Sequence, residues 1–365
     1  MRRHDLDNIR WATVLLVVVY HVFYLFNACG VLGGVGYFTV PQYQDAFLIF
    51  VYPWFMILLF AVAGMCARYA LETRPVKAFV RARTVKLLVP STLGLFVLQW
   101  VVGYLNVYIG GGLESMRASA PVPVRYLIFA LTGTGPLWFI QMLWLFSLVI
   151  ALVKVLDKGD RLYALCAKLP PVVTLLGCFA LWGGAQVGNM PVVTTYRFGV
   201  YFVAFLLGYF FLSHEKTRDF LARFRWLTLP LALAAGAVYV WCYFGSNYTS
   251  DVCLKSYFTS FYAWVAVLAI LGCGKAWLSK ANAFTAYMTR ASNGVYILHY
   301  LFALLSCWTL KTYTALPPAA VYPLAILLTL AGTFGSYELL RRVPVVRWCV
   351  LGMGKKPKPG GEEAL

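Results

Sequence analysis

Long apolar runs recur from one end of this chain to the other, and they narrow its possible folds more than any other feature. A backbone in hydrocarbon has no water to satisfy its N–H and C=O groups, so runs of about 20 apolar residues cross a bilayer as helices that bond internally. With 61% hydrophobic and only 12% charged residues in 365, no soluble domain of ordinary size is left over. The expected fold is all-α, a polytopic membrane protein of about ten transmembrane helices. Their expected limits are Trp11 to Cys29, Ala46 to Cys66, Leu87 to Tyr108, Leu137 to Leu156, Val172 to Val187, Phe198 to Leu212, Leu227 to Phe244, Phe258 to Trp277, Gly294 to Leu310 and Ala319 to Leu340.

Charge orients these segments. Lys and Arg number 31 against 13 Asp and Glu. In a soluble chain this balance suggests nucleic acid. Here it reads as the enrichment of basic residues on the cytoplasmic side, and no nucleic-acid partner is expected. With the N-terminus placed in the cytoplasm, the outer loops hold only Arg117, Arg125, Arg197, Lys255 and Lys311. All other basic residues fall in the alternate inner segments, so both termini are expected to be cytoplasmic. Residues 1–345 form the expected transmembrane domain and 346–365 a cytoplasmic tail, disordered beyond about residue 354. The nine cysteines include no CxxC pair and no zinc-like Cys/His spacing, so they read as small core residues, with no metal site.

Polar residues inside the spans point to chemistry. The first segment, LDNIRWATVLLVVVYHVF, carries Asp7 and Arg10 at its mouth and His21 deep in the apolar run. At about 1.5 Å and 100° per residue, Arg10 and His21 lie roughly 16 Å apart on one helix face. A charged side chain in a span costs about 3 kcal/mol on insertion scales, so an intramembrane histidine points to function. A buried imidazole bonded by Tyr20 or Tyr24 is the plainer alternative, and both readings stand. In ASNGVYILHY, Ser292, Tyr296 and His299 at i, i+4 and i+7 form a second polar stripe entering from the same side. Two deep histidines on separate helices suggest a shared polar cavity.

The inner segment ARYALETRPVKAFVRARTVKLLVP is the densest basic patch, with Arg68, Arg74, Lys77, Arg81, Arg83 and Lys86. It reads either as an anchor on anionic lipids or as a cradle for a polyanionic ligand. In GTGPLWFIQMLW, Trp138 and Trp144 read as interfacial aromatics, and Gln141 requires an internal partner. The longest outer loop, 109–136, either covers a substrate entrance or has no role. Near the end of the last span, Glu338 and Arg342 are spaced for an i, i+4 ion pair.

Together these pieces resemble the membrane-bound acyltransferases of family 3, which O-acylate surface glycans and lipids. The resemblance rests on Arg10, ten intervening residues and His21, preceded by LDNI, and on Arg83, Lys86 and Pro90 in RTVKLLVP. It extends through LWF at 137–139, SNGVYILH at 292–299 and the basic, Pro-containing exit of the last span, in the family's order along nearly the whole chain. Lys86 stands where the family commonly has Arg, and Ala63 with Gly64 replaces its usual Ser-Gly. The spacing in RTVKLLVP is similar to that of the subset that succinylates periplasmic glucans.

The resemblance implies an O-acyltransferase in the plasma membrane of a bacterial-type cell. It would move an acyl group, acetyl or succinyl, from cytoplasmic acyl-CoA to a hydroxyl of an extracytoplasmic glycan or lipid. It implies a catalytic set of His21, Arg10 and Asp7. It also implies substrate binding by Arg81, Arg83, Lys86, Trp138, Gln141, Ser292, Tyr296 and His299. Acyl-CoA is then a cosubstrate, the remaining partners are the acceptor and membrane lipids, and no resident cofactor is expected. His21 is either a general base toward the acceptor hydroxyl or a nucleophile that forms an acyl-histidine. The reading from another class is a transporter or flippase using the two histidines. The sequence shows neither the internal repeats nor the paired broken helices that such a protein favours.

Overall fold

The computed structural model describes residues 3–190 and 195–354. Among these residues the regular structure is helical, apart from one isolated bridge between Asn189 and Arg197. In chain order the helices are α1 (His4–Phe26), α2 (Asp45–Thr73), α3 (Val76–Ile109), α4 (Val122–Thr132), α5 (Gly135–Leu156) and α6 (Pro171–Gln186). They continue as α7 (Phe198–Leu212), α8 (Glu215–Tyr243), α9 (Tyr257–Trp277), α10 (Ala283–Tyr313), α11 (Pro318–Leu340) and the short α12 (Pro344–Cys349).

All ten expected segments are helical, but the expected count of ten full spans is corrected. Eight of the described helices are long and apolar enough to cross a membrane. A ninth span results if α6 and the preceding helix Arg161–Lys168, bent by 105°, are taken together. Pro170 and Pro171 make that break, because neither offers an N–H to continue a helix and Pro171 holds Pro170 extended. α7 is a shorter apolar helix that ends in a π turn, Gly208–Leu212. The expected loop 109–136 is also corrected. It contains the helices Leu113–Ser119 and α4, because Pro121 and Pro123 flank the first turn of α4, where a missing N–H costs nothing.

α1 packs against α2, α9, α10 and α11. Around it the helices approach closely at small residues. A Cβ on Gly64 of α2 would run into the Phe205 carbonyl of α7, and a Cβ on Gly208 of α7 would run into the Ala61 carbonyl of α2. Gly64 is thus a packing requirement of this helix pair. Gly208→Val is expected to cost about 1–3 kcal/mol by overpacking. Thermal unfolding of the detergent-solubilised protein checks this, and an unchanged midpoint would contradict the close approach.

Contacts between inter-helix segments gather at two ends. At one end Arg3 meets Glu215 at 2.6 Å, Asn8 donates to the Leu278 carbonyl at 2.7 Å, and Lys275 reaches Glu215 at 2.5 Å and Asp219 at 2.6 Å. Asp5 and Arg218 form a buried ion pair there. At the other end Asn247 donates to the Gly30 carbonyl at 3.1 Å and Tyr37 to the Leu316 carbonyl at 2.8 Å. The start of α1, the start of α8 and the end of α9 therefore share one face.

One local expectation changes near the C-terminus. Glu338 pairs with Arg341 at 2.6 Å and accepts from Tyr287 at 2.8 Å; its ion pair is at i, i+3 with Arg341 instead of at i, i+4 with Arg342. Residues up to 354 are ordered against the bundle, with α12 packed on α3. The part of the tail expected to be disordered, 355–365, lies outside the described residues.

Candidate functional site: two cavities along one helix

Asp5 and Asp7 occupy the first turn of α1, where carboxylates complement the helix dipole, and Asp7 Oδ1 holds Arg10 Nη2 at 3.0 Å. The helix runs unbroken to Phe26, so Arg10 and His21 keep a common face and a separation of roughly 16 Å. α10 lies against it and starts with a reciprocal capping box between Asn282 and Thr285, which fixes the register of Ser292, Tyr296 and His299.

Arg10 opens into a small cavity of about 90 Å³ that is also lined by Cys66, Arg83, Lys86, Ser292, Asn293 and Tyr296. The two cations from α3 reach it through an irregular stretch. Pro90 has no N–H for the Lys86 carbonyl, and the chain widens into a π turn over Thr84–Leu88. Gly352 (φ +63°) comes up beneath this turn, where a Cβ would collide with the Lys86 carbonyl. The chain after α12 thereby supports the turn that presents Lys86.

His21 faces a second, larger chamber of about 1200 Å³. Its walls are aromatic and hydroxyl-bearing, with Tyr20, Tyr24, Tyr52, Trp138, Tyr196, Tyr201 and Tyr300 among them. Tyr296 lines both cavities and donates to the Pro136 carbonyl at 2.6 Å, with its ring 5.4 Å from that of Phe139. It forms part of the partition between them.

The two histidines form a hydrogen-bonded pair. His21 Nδ1 lies 2.8 Å from the Val17 carbonyl and 3.1 Å from His299 Nε2, while His299 Nδ1 lies 2.7 Å from the Tyr296 carbonyl. A carbonyl only accepts, so this network assigns a proton to both Nδ1 atoms in the neutral rings. The one His21 Nδ1–H is then shared between the Val17 carbonyl and His299 Nε2 as a three-centre bond, and His21 Nε2 keeps its lone pair on the ring that lines the chamber. His299 is fully buried behind it, 0% exposed.

The structure gathers the sequence-predicted residues unevenly. Arg10, Arg83, Lys86, Ser292 and Tyr296 line the small cavity; His21, Trp138 and Tyr296 line the chamber. Asp7 stands behind Arg10, and His299 behind His21. Gln141 has the internal partners it requires, donating to the Ser91 carbonyl at 3.1 Å and accepting from Tyr196 at 2.5 Å. That places it behind the chamber wall. Arg81 is exposed on the surface of α3 and is not part of either lining. Sequence reasoning missed Tyr24, Tyr52, Tyr201 and Tyr300 as chamber residues and treated Arg197 only as a loop charge. The one available signal was the number of tyrosines, 24, many of them within apolar runs.

A family model described as an acyltransferase domain, that of acyltransferase family 3, matches residues 3–338. No curated protein and no solved structure gives a significant match.

Proposed function

This chain belongs to acyltransferase family 3 and is an acyl-transferring membrane protein, and from that premise we propose that it moves an acyl group from cytoplasmic acyl-CoA to a hydroxyl of a glycan on the opposite side of the membrane. One observation carries this reading: α1 offers an arginine to a small basic cavity near one end and a histidine to a large aromatic chamber toward the other. The small cavity, of about 90 Å³, brings Arg10, Arg83 and Lys86 together. The pantetheine arm would enter it, and the nucleotide phosphates would stay at the mouth near Arg83, Lys86 and the exposed Arg81. The reach from Arg10 to His21, roughly 16 Å, is close to the length of an extended arm.

In the chamber, tyrosine and tryptophan rings offer apolar faces to sugar C–H groups, and their hydroxyl or N–H tips bond sugar hydroxyls. His21 Nε2 takes the proton of the acceptor hydroxyl as its oxygen attacks the thioester carbonyl carbon. The C–S bond then breaks, the thiolate leaves toward the small cavity, and the imidazolium returns the proton to sulfur. Arg10, held by Asp7, orients the donor. His299 holds the tautomer that leaves Nε2 free to act. The transferred group is acetyl or succinyl in this reading.

Donor binding supplies the test. Neutralising Arg83 and Lys86 together (R83Q/K86Q) removes two charge-assisted contacts and is expected to weaken acyl-CoA binding by about 10–100-fold at low salt. The difference shrinks as salt rises, because exposed charges are screened within about 10 Å at 0.1 M. Titration of the purified protein with acyl-CoA at two ionic strengths checks it. Equal affinity at low salt would return the basic patch to lipid anchoring.

A further inference from the structure

Arg197 is a buried cation with no acidic partner among the described residues. It sits where the hairpin ahead of α7 closes, with Met190 N bonded to the Tyr196 carbonyl at 3.1 Å and Phe198 N to the Gly188 carbonyl at 2.9 Å. Only 8% of the residue is exposed, and its Nη2 donates to the Leu254 carbonyl at 2.9 Å. The same side chain lines the large chamber and a side pocket of about 20 Å³, beside Tyr52 and Tyr201. That pocket has room for about one water. The other charged residues of the chamber wall, Lys255 and Asp251, neutralise each other at 2.5 Å. Arg197 thus leaves the chamber one uncompensated positive charge. A guanidinium presents several N–H groups in a planar fork, and burial without a counter-charge is costly unless a ligand supplies one.

We propose that Arg197 is a carboxylate subsite of the chamber. It binds an acid group on one of the substrates that meet at His21, by the two-pronged pairing that suits a planar carboxylate. The carboxylate comes either from the free end of a dicarboxylic acyl group or from an acidic sugar of the acceptor. This inference rests on the chamber being the meeting place of donor acyl group and acceptor.

Affinity measurements on the purified full chain test it with two pairs of probes. Acetyl-CoA against succinyl-CoA isolates the acyl carboxylate; a neutral glucose oligosaccharide against an oligoglucuronate isolates the acceptor carboxylate. The wild type is expected to bind the acidic member of one pair about tenfold more tightly than its neutral counterpart, and the pair that shows this identifies the source. Arg197→Gln removes the preference and keeps the affinity for the neutral probes, which also reports an intact fold. Arg197→Lys, which retains the charge, keeps part of the preference. A wild type with no preference in either pair, or an Arg197→Gln protein that retains one, overturns the subsite. These are binding readouts, so a protein that shows the preference without acyl transfer contradicts the proposed reaction and leaves the subsite standing.

Discussion

Replacing His21 by alanine is expected to lower acyl transfer by about 10³-fold, mainly in kcat, with little change in the affinity for acyl-CoA. General-base assistance contributes about 10²–10⁴-fold in positioned systems, and no other described residue lining the chamber near His21 offers a neutral nitrogen lone pair for the proton. The donor contacts assigned to Arg10, Arg83 and Lys86 lie in the other cavity, so binding of acyl-CoA survives the substitution. Fold is preserved because His21 faces a chamber rather than a packed core. Release of free CoA and of labelled acyl product, measured together on the purified variant, decides the matter. Transfer within about threefold of wild type would remove His21 from the chemistry.

The second large effect concerns a residue that lines neither cavity. His299→Leu deletes the nitrogen that accepts from His21 Nδ1–H and leaves only the Val17 carbonyl to orient that ring. The expected loss is about 10² in kcat with KM nearly unchanged. It is smaller than the roughly 10⁴ that follows complete loss of the correct tautomer in a hydrolase triad, because one orienting acceptor remains. His299→Gln keeps an acceptor oxygen near the same place and is expected to recover part of the rate. A purely structural role for His299 would give equal losses in both variants and would disturb KM and thermal stability together. Steady-state kinetics with unfolding midpoints for the two proteins separate these outcomes.

What the sequence revealed depended on how local the cause was. Asp7, Arg10 and His21 lie on one uninterrupted helix, so helix rise and rotation alone brought them to one face with the correct spacing, and α1 has that geometry. Hydropathy found the long apolar helices but missed the short apolar α4 inside the expected loop, and it overcounted full spans, because it weighs composition, is blind to the Pro170–Pro171 break and gives the short α7 the same weight as a full span. The stripe on α10 was visible too. That His299 lies sealed behind His21 while Tyr296 reaches both cavities depends on how α10 crosses α1, and no single-helix pattern contains that information. Gln141 shows the limit from the other side: a polar residue in a span looked like a substrate contact, and its amide joins Ser91 to Tyr196. Arg197 was hidden for a similar reason. Its hairpin position reads as a surface charge until the Leu254 carbonyl and the chamber wall close around it.

The central claim is that donor and acceptor meet at His21 from opposite faces of the membrane. Its most direct test uses proteoliposomes with the protein in a known orientation, acyl-labelled CoA ester added on the side of Arg10, and a glucan oligosaccharide confined to the side of the large chamber. The account predicts labelled ester in the oligosaccharide compartment, unlabelled CoA retained on the donor side, and neither product with the His21→Ala protein. Labelled product that forms only when donor and acceptor share one compartment would contradict it.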